Sequence, residues 1–123
     1  RGLVLIDPPY ESDLEFDRVL AGLEVAHERW PTGTCCVWYP LTDRAGPLRF
    51  HRELERSGLR KVLDVRLNVL PADAQVGMAG AGLVIVNPPW LLDERLAELL
   101  PQLHRLLSPD GLGGTGVEWL VPE

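Results

Sequence analysis

The stretch Gly2-Leu3-Val4-Leu5-Ile6-Asp7-Pro8-Pro9-Tyr10 carries an apolar run into an acid, two prolines and an aromatic ring. The run reads as a buried strand. The prolines stop it, because each lacks a backbone donor and each fixes φ. Their carbonyls are left free to accept a hydrogen bond from something other than protein. Asp7 falls just past the carboxyl end of the strand, where an α/β sheet presents its chemistry. Tyr10 sets a flat ring beside it, as a stacking platform rather than a proton donor. An acceptor carboxylate, a freed carbonyl and a stacking surface together suit a planar ring that bears an exocyclic amine.

Outward from this stretch the pattern alternates. Ser12 and Glu15 have the spacing of a capping box. Phe16, Val19, Leu20, Leu23, Ala26 and Trp30 then recur at helical spacing, giving one apolar face. Pro31-Thr32-Gly33 ends that helix, and Thr34 to Tyr39 reads as a buried strand stopped by Pro40. A second helix is expected from about Pro47 to Ser57, with Gly58 as its C-cap. Lys61 to Leu70 alternates Val62, Leu63, Val65, Leu67 and Val69 against Asp64, Arg66 and Asn68, the mark of a half-exposed strand. A loop from Pro71 to Gly80 leads to a fully buried strand, Ala81 to Val86. A Leu-rich helix from Asp93 to Leu107 should kink or restart at Pro101, and Gly116 to Val121 makes a last short strand. The order β-α-β-α-β-β-α-β predicts a mixed, mostly parallel sheet with flanking helices. The β-β step argues that one later strand runs antiparallel.

The chain has 123 residues, enough for one domain with a sound core. Twelve Lys and Arg stand against 18 Asp and Glu, a net charge of −6. That balance opposes a broad electrostatic grip on nucleic acid, which works by neutralising phosphates. The opening on Arg1, directly ahead of a strand and without an initiator Met, reads as a fragment. No secretory signal pattern appears, and the uncharged stretch Val76 to Leu92 is broken by glycines and prolines and too short for a bilayer span. The expectation is a cytoplasmic protein without a membrane partner. Cys35 and Cys36 are adjacent in a strand and should point to opposite faces as buried thiols. His27, His51 and His104 sit in three predicted helices without metal-ligand spacing, and all three read as structural or surface residues, with no metal expected.

The opening stretch resembles the D-P-P-Y motif of the amino-methyltransferases, which move a methyl group from S-adenosylmethionine onto N6 of adenine or N4 of cytosine. A second copy of the pattern, Leu83-Val84-Ile85-Val86-Asn87-Pro88-Pro89-Trp90, lies within the wider motif of that group, so Asn87 rivals Asp7. Chain length favours Asp7. After its catalytic strand such a fold still needs roughly three more strands with their crossovers, and Asn87 comes too late to supply them. Asn87 is then a strand-ending turn whose side chain bonds nearby backbone, with Trp90 packed beside it. Gly111-Leu112-Gly113-Gly114-Thr115-Gly116 matches G-x-G-x-x-G but precedes a strand instead of a helix, so it reads as a connector.

Along its whole length the chain resembles the 23S ribosomal RNA adenine-N6 methyltransferases of the RlmJ family. The residues that carry this are Arg1 through Tyr10, Thr32-Gly33-Thr34, Trp38-Tyr39-Pro40, Gly77-Met78, Val86-Asn87-Pro88-Pro89-Trp90 and Trp119-Leu120-Val121-Pro122-Glu123. The resemblance implies an α/β fold: the C-terminal half of a Rossmann-like S-adenosylmethionine-dependent methyltransferase, with residues 1–123 a single fragment that begins at the fourth strand. It implies 23S ribosomal RNA as partner and S-adenosylmethionine as cofactor. In this family the cofactor is held mainly by an early lysine, a glycine loop after the first strand and an acid after the second, none of which falls within these residues. Only the D-P-P-Y residues carry over. The resemblance implies that Asp7 is the catalytic residue and the one position beside the cofactor, and that Pro8, Pro9 and Tyr10 receive the substrate base. Members have also been described as proteins for using external DNA as a nutrient.

Three other functions compete. A DNA amino-methyltransferase would share the chemistry, but no insertion for target recognition interrupts the chain. An inert fragment would act only as half of a sheet, open to self-association through the exposed edge of its first strand. A nuclease would need clustered carboxylates for a metal. Glu11, Asp13, Glu15 and Asp17 are the only dense run, and they straddle a helix start where acids favour the dipole.

Overall fold

The computed structural model describes residues 2–42, 45–71 and 77–122. Eight elements follow in the expected order: β1 (Leu3–Ile6), α1 (Leu14–Arg29), β2 (Thr34–Pro40), α2 (Ala45–Arg56), β3 (Val62–Asn68), β4 (Gly80–Val86), α3 (Leu92–Leu107) and β5 (Gly114–Val121). They build one five-stranded sheet in the order β1-β2-β4-β3-β5. Only β1 and β2 pair in parallel; β2–β4, β3–β4 and β3–β5 are all antiparallel. The expected mostly parallel sheet is therefore corrected to a mostly antiparallel one. The reason is the short connection between β3 and β4, which folds β4 back into the gap between β2 and β3 and replaces one would-be parallel contact with two antiparallel ones. Because β2 and β3 both oppose β4, the strands β1, β2 and β3 still point the same way.

The sheet divides two cores. On one face α1 and α2 bring Phe16, Val19, Leu23, Phe50 and Leu54 onto Cys35, Val37, Tyr39, Val62 and Val84. On the other, α3 lays Leu92, Leu96 and Leu100 on Leu63, Val65 and Ile85. Cys35 joins the first core and Cys36 packs against the second, on opposite faces as the strand pleat requires. Both thiols are held above their ordinary pKa by burial.

Three local expectations are corrected. The N-cap of α1 is Asp13, without a side-chain cap bond; the start closes instead through a backbone bond from Glu15 N to Ser12 O. Helix α3 runs unbroken through Pro101. The strand β1, read as a buried run, has Leu3, Val4 and Leu5 exposed at 66%, 42% and 67%, because it lies at the sheet edge, the position expected for it in a fragment.

The largest departure concerns β3, whose first four residues are all buried. Asp64 is fully buried, and its Oδ1 accepts a hydrogen bond from the Tyr39 hydroxyl. His51 Nε2 stands 3.2 Å from the same oxygen and 3.1 Å from the Tyr39 oxygen. Arg66 reaches to 3.3 Å of Oδ2, an ion-pair distance without hydrogen-bond geometry. Alternation made Asp64 look like a solvent-facing residue, but α2 covers that face and brings His51 with it. Gly82 lies opposite Tyr39 in the ladder, and a Cβ there would come within 2.2 Å of the Tyr39 ring. Burial, first, and then the Asp64 charge hold the Tyr39 phenol far above its usual range, so it stays a donor. Tyr39→Phe is expected to cost about 1.5–3 kcal/mol, the value of a hydrogen bond to a charged group. Urea unfolding of the variant checks this.

Candidate active site

The direction of the strands sorts the two proline motifs. In the register Leu3 to Ile6 pairs with Thr34 to Val37, so Asp7 leaves the sheet beside Trp38. Strand β4 runs the other way, Val86 pairs with Cys35, and Asn87 leaves beside Thr34. The two motifs therefore stand at opposite ends of the sheet and serve no common site. Asp7 is at the end where β1, β2 and β3 present their carboxyl termini, and where α1 and α2 begin. That is the end at which open α/β sheets carry ligands.

At this end Asp7 and Pro9 are exposed, and Pro8 and Tyr10 are half-buried. Asp7 takes part in none of the hydrogen bonds or ion pairs among the described residues, which leaves its carboxylate available. Its charge reaches Tyr10: burial, then Asp7, then Glu15 push the Tyr10 phenol well above its usual range. The Tyr10 ring packs at 4.9 Å from Phe16 and 6.3 Å from Trp38, both tilted. Its hydroxyl donates to the Trp38 carbonyl at 2.6 Å. The Tyr10 hydroxyl is thus a hydrogen-bond donor to backbone, a role not legible in the motif. Beneath it, Tyr10, Phe16, Pro40 and Gly46 line a cavity of about 50 Å³, room for a few waters but not for a base. A base stacking on Tyr10 must use the outer side of the loop.

Two of the four acids after Tyr10 make ion pairs. Glu15 meets Arg18 at 3.4 Å, and Asp17 meets Arg49 at 3.1 Å. Among the described residues no group of three or more His, Cys, Asp or Glu is placed to hold a metal. None of their helices is long and apolar enough to cross a membrane.

At the far end, Asn87 takes a left-handed φ of 55°. Its Nδ2 donates to Thr32 O at 2.8 Å, and Thr34 Oγ1 donates to Asn87 O at 2.8 Å. Gly33 lies against the Trp30 ring, where a Cβ would fall within 2.1 Å. The Thr32-Gly33-Thr34 and Asn87-Pro88 segments thus lock together as structure. Trp90, expected to pack, is instead 88% exposed, beside a cavity of about 770 Å³ lined by Leu3, Thr34, Cys36, Ile85, Pro88 and Leu92. This cavity is mostly apolar and lies at the opposite end of the sheet from Asp7. Asn87→Ala is expected to cost about 1–3 kcal/mol through the lost bonds and the left-handed backbone, with little effect on any activity of the Asp7 end. Thermal unfolding measured beside an activity assay separates the two.

The chain is similar to known proteins in sequence and in structure. Residues 1–121 match the family model described as "Ribosomal RNA large subunit methyltransferase D, RlmJ". The "Ribosomal RNA large subunit methyltransferase J" of Haemophilus influenzae is 45% identical over the whole chain, and that of Escherichia coli 42%. In both cases the chain spans 44% of the relative's length. The crystal structure of protein LPL1258 from Legionella pneumophila superposes with a TM-score of 0.86 at 31% identity, over 97% of this chain and 43% of that one.

Proposed function

We propose a reaction for this chain, which belongs to the RlmJ family of ribosomal RNA large-subunit methyltransferases: methyl transfer from S-adenosylmethionine to the N6 amine of an adenine in 23S ribosomal RNA. The observation that carries it is the free, exposed carboxylate of Asp7 at the carboxyl end of β1, beside the Pro8 carbonyl and the half-buried ring of Tyr10. Residues 1–123 would be the second half of a Rossmann-like methyltransferase domain, beginning at its fourth strand. The common direction of β1, β2 and β3 supports this, as does the reversed β4 wedged between β2 and β3.

When bound, S-adenosylmethionine supplies a methyl group on a sulfonium. The donor set fits its neighbourhood only in part: Asp7 offers a carboxylate at the margin of such a site, and the described residues at this end add no glycine-rich cradle. What the chain's own residues do concerns the acceptor. The adenine, flipped or already unstacked, rests on Tyr10. Asp7 and the Pro8 carbonyl accept hydrogen bonds from the N6 amine and turn its lone pair out of ring conjugation. As the nitrogen becomes cationic, the Asp7 charge stabilises it, and the amine proton leaves to Asp7 or to water. Positioning and a fixed charge aimed at the developing cation provide the rate gain.

The partner would be ribosomal RNA and the setting cytoplasmic; the −6 charge favours a basic grip on RNA supplied from outside residues 1–123. The exposed β1 edge is a second surface, suited to another strand or to a second copy of the chain. The reading is tested by radiolabelled methyl transfer to ribosomal RNA from a strain lacking the enzyme, with nucleoside analysis of the product. Label on a pyrimidine, or on DNA alone, would exclude it.

A further inference from the structure

We propose that the hydroxyl of Tyr10 is a positioning group: its bond to the Trp38 carbonyl fixes the turn that aims Asp7 and the Pro8 carbonyl at the acceptor amine. This rests on the reading of the Asp7 end given above. Tyr10 holds a left-handed φ of 51°, a backbone state that costs a residue with a side chain about 1–2 kcal/mol and persists only when its surroundings hold it. Two contacts do so. The ring lies against Phe16 at 4.9 Å, and the hydroxyl donates to Trp38 O at 2.6 Å, across to the neighbouring strand. Phe16 in turn packs on Phe50 at 5.2 Å, within the core that holds Tyr39. Asp7 itself is exposed and bonded to nothing described, and two prolines separate it from Tyr10. Their fixed φ angles make the segment stiff, so the placing of Tyr10 is passed back to Pro8 and Asp7 with little loss. A phenylalanine would keep the ring and its packing but release the link to β2.

The prediction therefore separates ring from hydroxyl. In an enzyme of the relatives' full length, Tyr10→Phe is expected to lower kcat roughly tenfold, because small misplacements of reacting groups are costly. The KM for RNA should change less than threefold and the thermal midpoint little. Tyr10→4-aminophenylalanine, which keeps a donor at the same place, should recover at least half of the lost kcat. A Tyr10→Phe enzyme within twofold of wild-type kcat would overturn the proposal, as would failure of the amino variant to recover activity, or an equal loss in KM. Asp7→Ala measured in parallel distinguishes the two levels. If it is inactive while Tyr10→Phe is normal, only the positioning role falls; if it is active, the reading of the whole site falls.

Discussion

Asp7→Ala, made in a protein of the relatives' full length, is expected to reduce methyl transfer to ribosomal RNA by about 100-fold or more while leaving the fold intact. The magnitude follows from removing one preorganised group that faces developing charge in the transition state. The intact fold follows from position: Asp7 is exposed, lies beyond the last residue of β1 and enters none of the described hydrogen bonds or ion pairs. Radiolabelled methyl transfer measures the first part and thermal unfolding the second. A rate above a tenth of wild type would remove Asp7 from the chemistry. A large drop in unfolding temperature would mean that the carboxylate braces the turn instead. The contrast with Asn87→Ala sharpens the test. Asn87 occupies the matching place in its own motif but spends its side chain on Thr32, at the other end of the sheet. One variant should lose rate and the other stability.

That contrast also marks what the residues disclose by themselves. Apolar runs ending in proline, helical spacing after Tyr10 and the Leu-rich run near the end were enough to order all eight elements, because each signal is local. The preference for Asp7 over Asn87 rested on how much chain a fold needs after its catalytic strand; what the structure adds is that the two motifs leave opposite ends of the sheet. What stayed hidden depends on contacts between distant residues. Strand β4 inserts between β2 and β3, and nothing in Gly80 to Val86 records which neighbours it will have. Asp64 looked like one polar tooth of an alternating strand, although Tyr39 and His51 come from other elements to meet its Oδ1, and only Arg66 is a neighbour on the same strand. Two signals were present but weak: a tyrosine in an otherwise buried strand needs a hydrogen-bond partner, and Gly82 leaves room for its ring. The Tyr10 hydroxyl was hidden for the same reason, since its acceptor is a backbone carbonyl, which every residue has.

Residues 1–123 on their own are expected neither to bind S-adenosylmethionine measurably nor to methylate RNA, and to self-associate. Strand β1 is the sheet edge, paired on one side only, with Leu3 and Leu5 about two-thirds exposed. An apolar edge of this kind is a template for another strand. It is continuous with the cavity of about 770 Å³ that Leu3 lines together with Trp90, whose ring is almost wholly in water. Helix α3 adds Leu99, Leu103, Leu106 and Leu107, all exposed to different degrees. Exposed apolar surface of this extent favours association in water. For the cofactor, Asp7 offers an exposed carboxylate, and an exposed charge holds a small ligand weakly because solvent and salt screen it. Titration calorimetry with S-adenosylmethionine and light scattering across a concentration series test both parts. A monomer with micromolar affinity for the cofactor would show that the apolar edge is not an interface and that the described end of the sheet binds more than its residues account for. Oligomers without cofactor affinity, dispersed by charged substitutions at Leu3 and Leu5, are the expected result, because those two side chains project from the strand whose free backbone groups would make the pairing.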